Sequence, residues 1–413
     1  MTGYTYRRLF RVPEFTPLFL SSAAHTAAQT VSGLALGTLV YRATDSPLLS
    51  AVSMFGPSLA QVLGATFLLS GADRLPPRAT LTGLSVSFAA ATAVLALPGL
   101  PVWGVFAVVL VQGLIASLGG GVRWGLLNEI LKRADSEDGS GKDSKSGYLP
   151  GRSLFNMMGG LMQITGYATG GALVTALSPR PVLLLAVLFY ATAAVVARLG
   201  LSVRPARASG RPSAAVTRRT NAVLWSSRPR RLTYLGLWLP NGLVVGCEAL
   251  FVSYDPDAAG TLFACAALGM LAGDVTVGRL LPPSLRPRLA TPLLLLLATP
   301  YVFFALHPAL PLAAACAGLA SVGFGASLVQ QERLMALTPS ELSGHALGLH
   351  SAGMLTMQGV GAALAGTLAQ LTSPASAMTA MALASIAVTL TLKLAARTDA
   401  VRTANEVGRV SAG

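Results

Sequence analysis

Charged side chains are scarce in this 413-residue chain: only 11% of its residues are Asp, Glu, Lys or Arg, whereas soluble domains carry about 25%. Hydrophobic residues make up 53% of the chain. This composition excludes a water-soluble fold. Disorder is excluded as well, in spite of 25 prolines and 43 glycines, because a mean hydropathy of +0.62 is too high for a disordered chain. The sequence therefore predicts a protein that crosses a membrane several times.

Residues for metal, disulfide and nucleotide chemistry are also few. The three cysteines lie inside apolar segments and are odd in number, so we interpret them as small hydrophobic residues. The four histidines show no metal-ligand spacing, and no Gly-x-x-x-x-Gly-Lys-Ser/Thr loop occurs. The sequence therefore predicts no metal site and no cofactor, and it rules out a single-chain ATP-driven pump. With no visible cluster of nucleophile, base and orienting residue, an enzyme is not expected.

Twelve apolar segments are long enough to cross a bilayer as helices, which takes about 20 residues each. The predicted fold class is an all-α polytopic membrane protein with twelve transmembrane helices. The predicted spans are residues 16–41, 48–70, 79–98, 101–126, 149–177, 181–200, 232–254, 258–281, 289–306, 308–331, 344–371 and 375–396.

Basic residues are concentrated on one side of these spans. If both termini are cytoplasmic, all but two of the 30 Lys and Arg residues lie at inner ends or in inner loops; only Arg42 and Arg180 lie outside. The positive-inside rule predicts this distribution for an even number of spans in the cytoplasmic membrane. It also explains the net charge of +14 without nucleic acid as a partner.

The longest linker, residues 201–231, separates six spans from six. It is rich in Arg, Ser and Pro and contains no acid, so we expect a flexible cytoplasmic connector that lies on anionic lipid. The predicted domains are a six-helix bundle at 1–200, this linker, a second six-helix bundle at 232–396 and a cytoplasmic tail at 397–413.

The two bundles share a sequence pattern. Segment 162–173, MQITGYATGGAL, has Met, Gln, Gly, Gly and Leu at the same spacing as segment 357–368, MQGVGAALAGTL. Chance similarity between Gly- and Ala-rich helices is the alternative explanation. The loops after the second and eighth spans also match loosely, which favours a duplicated, pseudo-symmetric pair of bundles.

Polar side chains at mid-membrane depth form another pattern, because such groups are costly in lipid and tend to face a cavity or a partner. Spans 3, 6, 9 and 12 have no amide, carboxylate or basic residue between their end turns. We therefore expect these four to be lipid-facing supports and the other eight to surround a polar pathway. For any single residue, a hydrogen bond between helices is an equal alternative. The candidate cavity residues are His25, Gln29, Gln61, Gln112, Gln163, Asn241 and Gln358.

Glu248 is the only carboxylate deep inside any predicted span. Because an apolar environment favours the neutral form of a carboxyl group, Glu248 is a candidate to bind and release a proton, or to attract a cation. A structural hydrogen bond to a neighbouring helix is the alternative.

Five segments carry a family resemblance: LVYRATDSPLLSA, SGADRLPPRAT, ASLGGGVRWGLLNEIL, LWLPNGLVVGCEALFVSY and SGHALGLHSAGMLTMQGVGAALAG. Together they resemble the major facilitator superfamily, and in particular its twelve-helix bacterial exporter branch of enterobactin-exporter-like drug and metabolite efflux proteins. The resemblance implies the major facilitator fold and alternating access between two bundles, with proton antiport as the energy source.

The resemblance also assigns roles to individual residues. The family's loop between helices two and three is a charge-relay latch, and Leu69 and Pro77 stand where it usually has Gly and Arg. Gln29 stands where many exporters have an acid, so proton coupling would depend on Glu248. The residues that match the latch are Asp73, Arg74 and Arg78, with Arg123 at the inner end of helix four; those that match the antiporter motif of helix five are Gly166, Tyr167, Gly170 and Gly171, with Tyr in place of Pro.

The predicted function is secondary active export of a small organic molecule, such as a drug, antibiotic or other metabolite. The predicted partners are this substrate, a proton and membrane lipid, and the protein is expected to be a monomer. Two alternatives stay open. One is an uptake permease for a nutrient or metal chelate, and the other is a transport-inactive sensor or scaffold that docks through the Arg-rich linker.

Overall fold

The structure is a computed structural model of the chain, and it describes residues 6–72, 76–137, 148–205, 214–282, 284–339 and 342–411. Helices account for nearly all of these residues, and the described part of the chain contains no strand. This agrees with the predicted all-α class.

Six long helices form the first half of the chain. Proline is the first residue of the second, third and sixth of them, where its missing N–H costs no hydrogen bond. A tight turn joins the third and the fourth, with Gly99 at a φ of +78°. The helices are α1 (Phe15–Thr44), α2 (Pro47–Ala72), α3 (Pro77–Ala96), α4 (Val102–Glu137), α5 (Tyr148–Leu177) and α6 (Pro179–Gly200).

Six more helices form the second half, and several of them change geometry along their length. Helix α9 tightens into a 3₁₀ helix at Thr299–Leu306, where Pro300 stands, and α10 is interrupted by a 3₁₀ turn at Gly323–Gly325. The helices are α7 (Arg228–Ala249, followed by Phe251–Tyr254), α8 (Ala259–Val275, followed by a π-helical turn at Thr276–Leu280), α9 (Arg286–Ala298), α10 (Leu310–Val322 and Ala326–Ala336), α11 (Ser343–Leu371) and α12 (Pro374–Ser411).

Each of the twelve predicted spans thus corresponds to a helix. Nine of the described helices are long and apolar enough to cross a membrane by length and composition alone. Helices α1, α2 and α5 are not among the nine; α1 and α5 carry many hydroxyl and amide side chains, which lower their mean hydropathy. The chain is an all-α, multi-pass membrane protein.

The chain divides into two compact units. Unit 1 contains Met1–Arg211 and Phe251–Ala267, and unit 2 contains Pro212–Leu250 and Leu268–Gly413. Unit 1 therefore includes, besides the first six helices, the segment that follows α7 and the first half of α8.

Two ion pairs of one buried arginine connect helix ends of unit 1. Arg204, which follows α6, is 9% exposed. Its guanidinium lies 2.9 Å from Glu14 Oε1 and 3.1 Å from Glu129 Oε1. Because Glu14 precedes α1 and Glu129 lies on α4, this arginine connects the start of α1, the last turns of α4 and the end of α6.

The linker differs in part from the expected flexible connector. Residues 206–213 are not described, but Ala214–Ser226 is a helix of unit 2. Leu224 is fully buried, and the ring of Trp225 stacks 5.7 Å from that of Trp238 on α7. Asn221 Oδ1 lies 2.7 Å from Nε2 of His345 on α11. Leu224 and Trp225 thus attach this helix to unit 2. The other residues of the linker are mostly polar, so its overall composition does not indicate this contact.

Candidate functional site

Three of the predicted cavity residues meet in one pocket of unit 1. Gln29 of α1, Gln61 of α2 and Gln112 of α4 line a cavity of about 120 Å³. Each side-chain amide offers two N–H donors and one carbonyl acceptor. The pocket, called the glutamine pocket below, can therefore bind a polar group of either hydrogen-bonding type without bringing a charge into the membrane.

Hydroxyl groups and an aromatic ring complete the glutamine pocket. Ser32, Ser53 and Ser58 line it, together with Phe88 and Thr92 of α3. Because α3 contributes three lining residues, Leu95 being the third, the expectation that it only supports the bundle from the lipid side is wrong. The prediction considered amides and charges alone, and a search for Ser and Thr at the same depth would have found Thr92.

Local packing fixes the position of Gln112. Its Nε2 donates a hydrogen bond to Thr92 Oγ1 at 3.2 Å, and the residue is 9% exposed. The next residue, Gly113, allows α4 to approach α2, because a Cβ there would lie 2.5 Å from the carbonyl oxygen of Pro57. Pro57 itself lines the pocket. The α2–α4 contact therefore places Gln61 and Gln112 in one cavity.

His25 lies one turn before Gln29 on α1 but outside the lining of the glutamine pocket. Its Nδ1 lies 3.4 Å from Ser85 Oγ on α3, and its ring contacts the rings of Phe88 and Tyr190 at 5.2 and 5.1 Å. Phe88 thus touches His25 and also lines the pocket. His25 therefore lies inside unit 1 next to a hydroxyl group and two aromatic rings, and one of these rings, that of Phe88, also lines the glutamine pocket.

Glu248 lies inside unit 2. It is 7% exposed, and its Oε1 accepts a hydrogen bond from Ser321 Oγ of α10 at 3.3 Å. Tyr301, which is fully buried, lies close enough to interact electrostatically with Glu248. The carboxyl group therefore has the interhelical hydrogen bond that the sequence left open as an alternative to coupling.

The other candidate cavity residues are distributed over both units. Asn241 of α7 is 4% exposed, and its Oδ1 has no hydrogen-bond partner among the described residues. Gln163 of α5 and Gln358 of α11 are half-buried and do not line the glutamine pocket. The structure thus groups Gln29, Gln61 and Gln112 and leaves the remaining candidates apart from them.

Glycines at matching positions of the sequence repeat make matching helix contacts. A Cβ on Gly166 of α5 would lie 3.0 Å from Thr30 of α1, and Gly361 of α11 packs against the backbone of Gly242 on α7. Because α1 and α5 hold the same places in the first half as α7 and α11 in the second, these contacts support a duplicated bundle.

The residues that match the antiporter motif lie at a helix contact within unit 1. A Cβ on Gly171 would lie 2.5 Å from the Cα of Gly260 on α8. The ring of Tyr167 stacks on that of Phe263, with centroids 4.7 Å apart. A Cβ on Gly170 would lie 3.5 Å from the side chain of Val31 on α1. The tyrosine that replaces the motif's proline is therefore part of the α5–α8 contact.

The predicted latch is described only in part. Asp73 and Arg74 lie outside the described residues, and Arg78 is half-buried in the first turn of α3. Arg123 of α4 is half-buried and close enough to His25 to act on it electrostatically. The described residues contain no group of three His, Cys, Asp or Glu side chains that could hold a metal ion.

No family model matches the sequence, and no curated protein matches it either. Solved structures do resemble the fold. A mutant of the nucleoside transporter NupG gives a TM-score of 0.74 at 12% identity, covering 92% of this chain and 98% of that one. A POT family transporter in complex with a thioalcohol-conjugated peptide gives 0.70 at 11% identity, covering 93% and 96%.

The peptide transporter POT in complex with sulfate gives a TM-score of 0.68 at 13% identity, covering 96% of this chain and 99% of that one. Identities this low carry information about the fold alone, but the coverage extends over nearly the full length of both chains. The protein described here has the major facilitator fold of these transporters, as the sequence predicts.

Proposed function

We propose that this protein is a secondary active transporter that exports a small organic molecule across the cytoplasmic membrane by alternating access. The observation that carries the proposal is the glutamine pocket, in which Gln29, Gln61 and Gln112 converge inside a unit of the major facilitator fold. Buried amides are costly in lipid unless they have partners or a cavity to face. The chains of similar fold are transporters of nucleosides and peptides, and such solutes carry hydrogen-bonding groups.

The lining of the glutamine pocket indicates the chemical class of the substrate. Its polar residues are amides and hydroxyls, and its walls include Met54, Phe88 and Leu95. Apolar walls with a few placed polar groups are typical of sites for small organic molecules. We expect an uncharged polar group of the substrate to bind in this pocket, with a flat or apolar part against Phe88.

We propose that Glu248 couples transport to protons. Two features support this role: its position as the only carboxylate deep in a span, and its contact with Ser321, 3.3 Å away. An ionised carboxylate only accepts hydrogen bonds, whereas a neutral carboxyl group also donates one. Binding a proton would therefore weaken the hydrogen bond from Ser321, which is stronger to a charged acceptor, and would give the carboxyl group a donor that needs an acceptor. Both effects would alter the contacts of α7 with α10.

The resemblance to exporters supports the proposed direction, and the positive-inside distribution supports cytoplasmic termini. A metabolite-accumulation and toxicity screen of cells with and without the gene tests cargo and direction together. At least one small organic molecule should accumulate inside cells that lack the protein. Accumulation that instead depends on the presence of the protein would establish uptake, and identical profiles would contradict transport.

A further inference from the structure

A groove opens at the inner ends of four helices of unit 2. It is lined by the first turns of α7 and α9 and by the last membrane turns of α10 and α12, and its volume is about 630 Å³. Its body is apolar, with Leu232, Leu294 and Leu392 among the lining residues. It shares no lining residue with the glutamine pocket. The proposed transport site therefore does not account for it.

Positive charge is concentrated in the lining of this groove. Arg333, Lys393 and Arg397 all line it. Glu332 lines it as well, but its Oε1 lies 2.6 Å from Nη1 of Arg286, so its charge is neutralised within unit 2. A net positive lining at this face of the membrane attracts an anion.

A buried hydroxyl without a partner lies deeper in the groove. Thr389 of α12 lines the groove and is 3% exposed, and its Oγ1 makes no hydrogen bond to any described residue. Thr389 and Arg397 are two helical turns apart, roughly 12 Å at 1.5 Å per residue. A buried donor without an acceptor costs free energy, so Thr389 indicates that the groove is completed by a ligand with an acceptor oxygen at that depth.

We propose that this groove binds an anionic phospholipid of the cytoplasmic leaflet. The phosphate binds Arg333, Lys393 and Arg397, and an ester carbonyl one headgroup length deeper accepts a hydrogen bond from Thr389. The acyl chains run deeper along the lipid-facing side of α12, past the half-buried Ile386 and past Leu383, which is 52% exposed. A lipid can therefore contact the basic residues, the buried hydroxyl group and the apolar lining of the groove at the same time, whereas a soluble anion would contact only the basic residues.

The test uses the full-length protein in detergent, titrated with phosphatidylglycerol or with phosphatidylcholine of the same acyl chains, and native mass spectrometry to count bound lipid. Each basic side chain near an anionic lipid contributes a factor of about five to binding. The double variant Lys393→Gln/Arg397→Gln should therefore bind phosphatidylglycerol about 30-fold more weakly. The control Arg11→Gln/Arg198→Gln removes two exposed charges from the inner face of unit 1 and should leave binding within twofold of wild type.

Thr389→Val separates the ester contact from the charge contact. Because both lipids have ester carbonyls, this substitution should weaken both equally and leave the preference for phosphatidylglycerol unchanged. Wild-type binding of phosphatidylglycerol by the Lys393→Gln/Arg397→Gln protein would overturn the proposal. So would complete displacement of phosphatidylglycerol by inorganic phosphate in excess, since the groove would then be a site for a soluble anion.

Discussion

The close contact between α5 and α8 gives a prediction whose size follows from the structure. The change is Gly260→Ala. A Cβ at this position would lie 2.9 Å from the carbonyl oxygen of Tyr167 and closer still to the Cα of Gly171. Carbon atoms in ordinary contact are about 3.5–4.0 Å apart, so the two helices must separate by roughly 1 Å. Overpacking of this kind costs about 1–3 kcal/mol.

The expected consequence is a shift in the population of states in which this contact forms. A cost of about 2 kcal/mol changes such a population roughly 30-fold. The control is Gly159→Ala on α5, the other helix of this contact, where an added Cβ would meet nothing within 4 Å. It should behave as wild type.

The assay places a reporter thiol beside the contact by Ala264→Cys. Ala264 lies one helical turn after Gly260 on α8 and is 7% exposed, so opening of the α5–α8 contact should expose this position. The rate of modification by a membrane-impermeant maleimide should rise at least tenfold with Gly260→Ala and stay unchanged with Gly159→Ala. Equal rates in wild type and both variants would contradict this prediction, because the protein in the membrane would then not populate the packed α5–α8 contact.

Two further predictions concern the proposed coupling residue and the linker helix. Glu248→Gln keeps the shape of the side chain but cannot release a proton, so substrate-driven proton movement in inside-out vesicles should disappear while exchange of labelled for unlabelled substrate persists. Glu332→Gln, which removes the carboxylate bound by Arg286, should retain proton movement, and undiminished proton flux in the Glu248→Gln protein would remove this residue from the mechanism. Leu224→Ala removes a fully buried side chain of the linker helix and should cost about 2–5 kcal/mol locally. Limited trypsin digestion of the linker should then be faster, whereas Val223→Ala, at a site 46% exposed, should digest like wild type; equal digestion of all three would show that the linker helix does not depend on this packing.

The helices were predictable because crossing lipid demands a long apolar run, and that demand is visible in the sequence. The predicted span 16–41, for example, lies within Phe15–Thr44. Helices α4 and α12 instead continue to Glu137 and Ser411, well beyond the predicted ends. Hydropathy cannot detect such extensions, because a helix in water needs no apolar run.

The sequence indicated how deep in the membrane the candidate residues lie, but not which of them share a pocket. Gln29, Gln61 and Gln112 were selected because amides at that depth need a partner or a cavity, and the structure places all three in one pocket. His25, at similar depth, contacts Phe88 and Tyr190 instead. Which neighbour covers a side chain depends on contacts between helices distant in sequence, and a depth count carries no such information.

The same limit applies to the pairing of buried groups. The partner of Glu248 is Ser321, 73 positions further along the chain, and serine is too common in these helices to be singled out. The linker helix was missed for the opposite reason, because the two residues that anchor it, Leu224 and Trp225, are outnumbered by arginines and polar residues around them.

The role of the glutamine pocket in substrate binding can be measured by transport through a protein with an altered pocket. Once the screen has identified a transported compound, its initial rate is measured in everted vesicles for wild type, Gln112→Leu and Gln370→Leu, the last being an exposed control at the end of α11. Loss of one hydrogen bond to an uncharged substrate group should cost about 0.5–1.5 kcal/mol. KM should therefore rise two- to tenfold for Gln112→Leu and keep its wild-type value for Gln370→Leu. A KM equal to that of wild type would contradict the claim that this pocket binds the transported molecule.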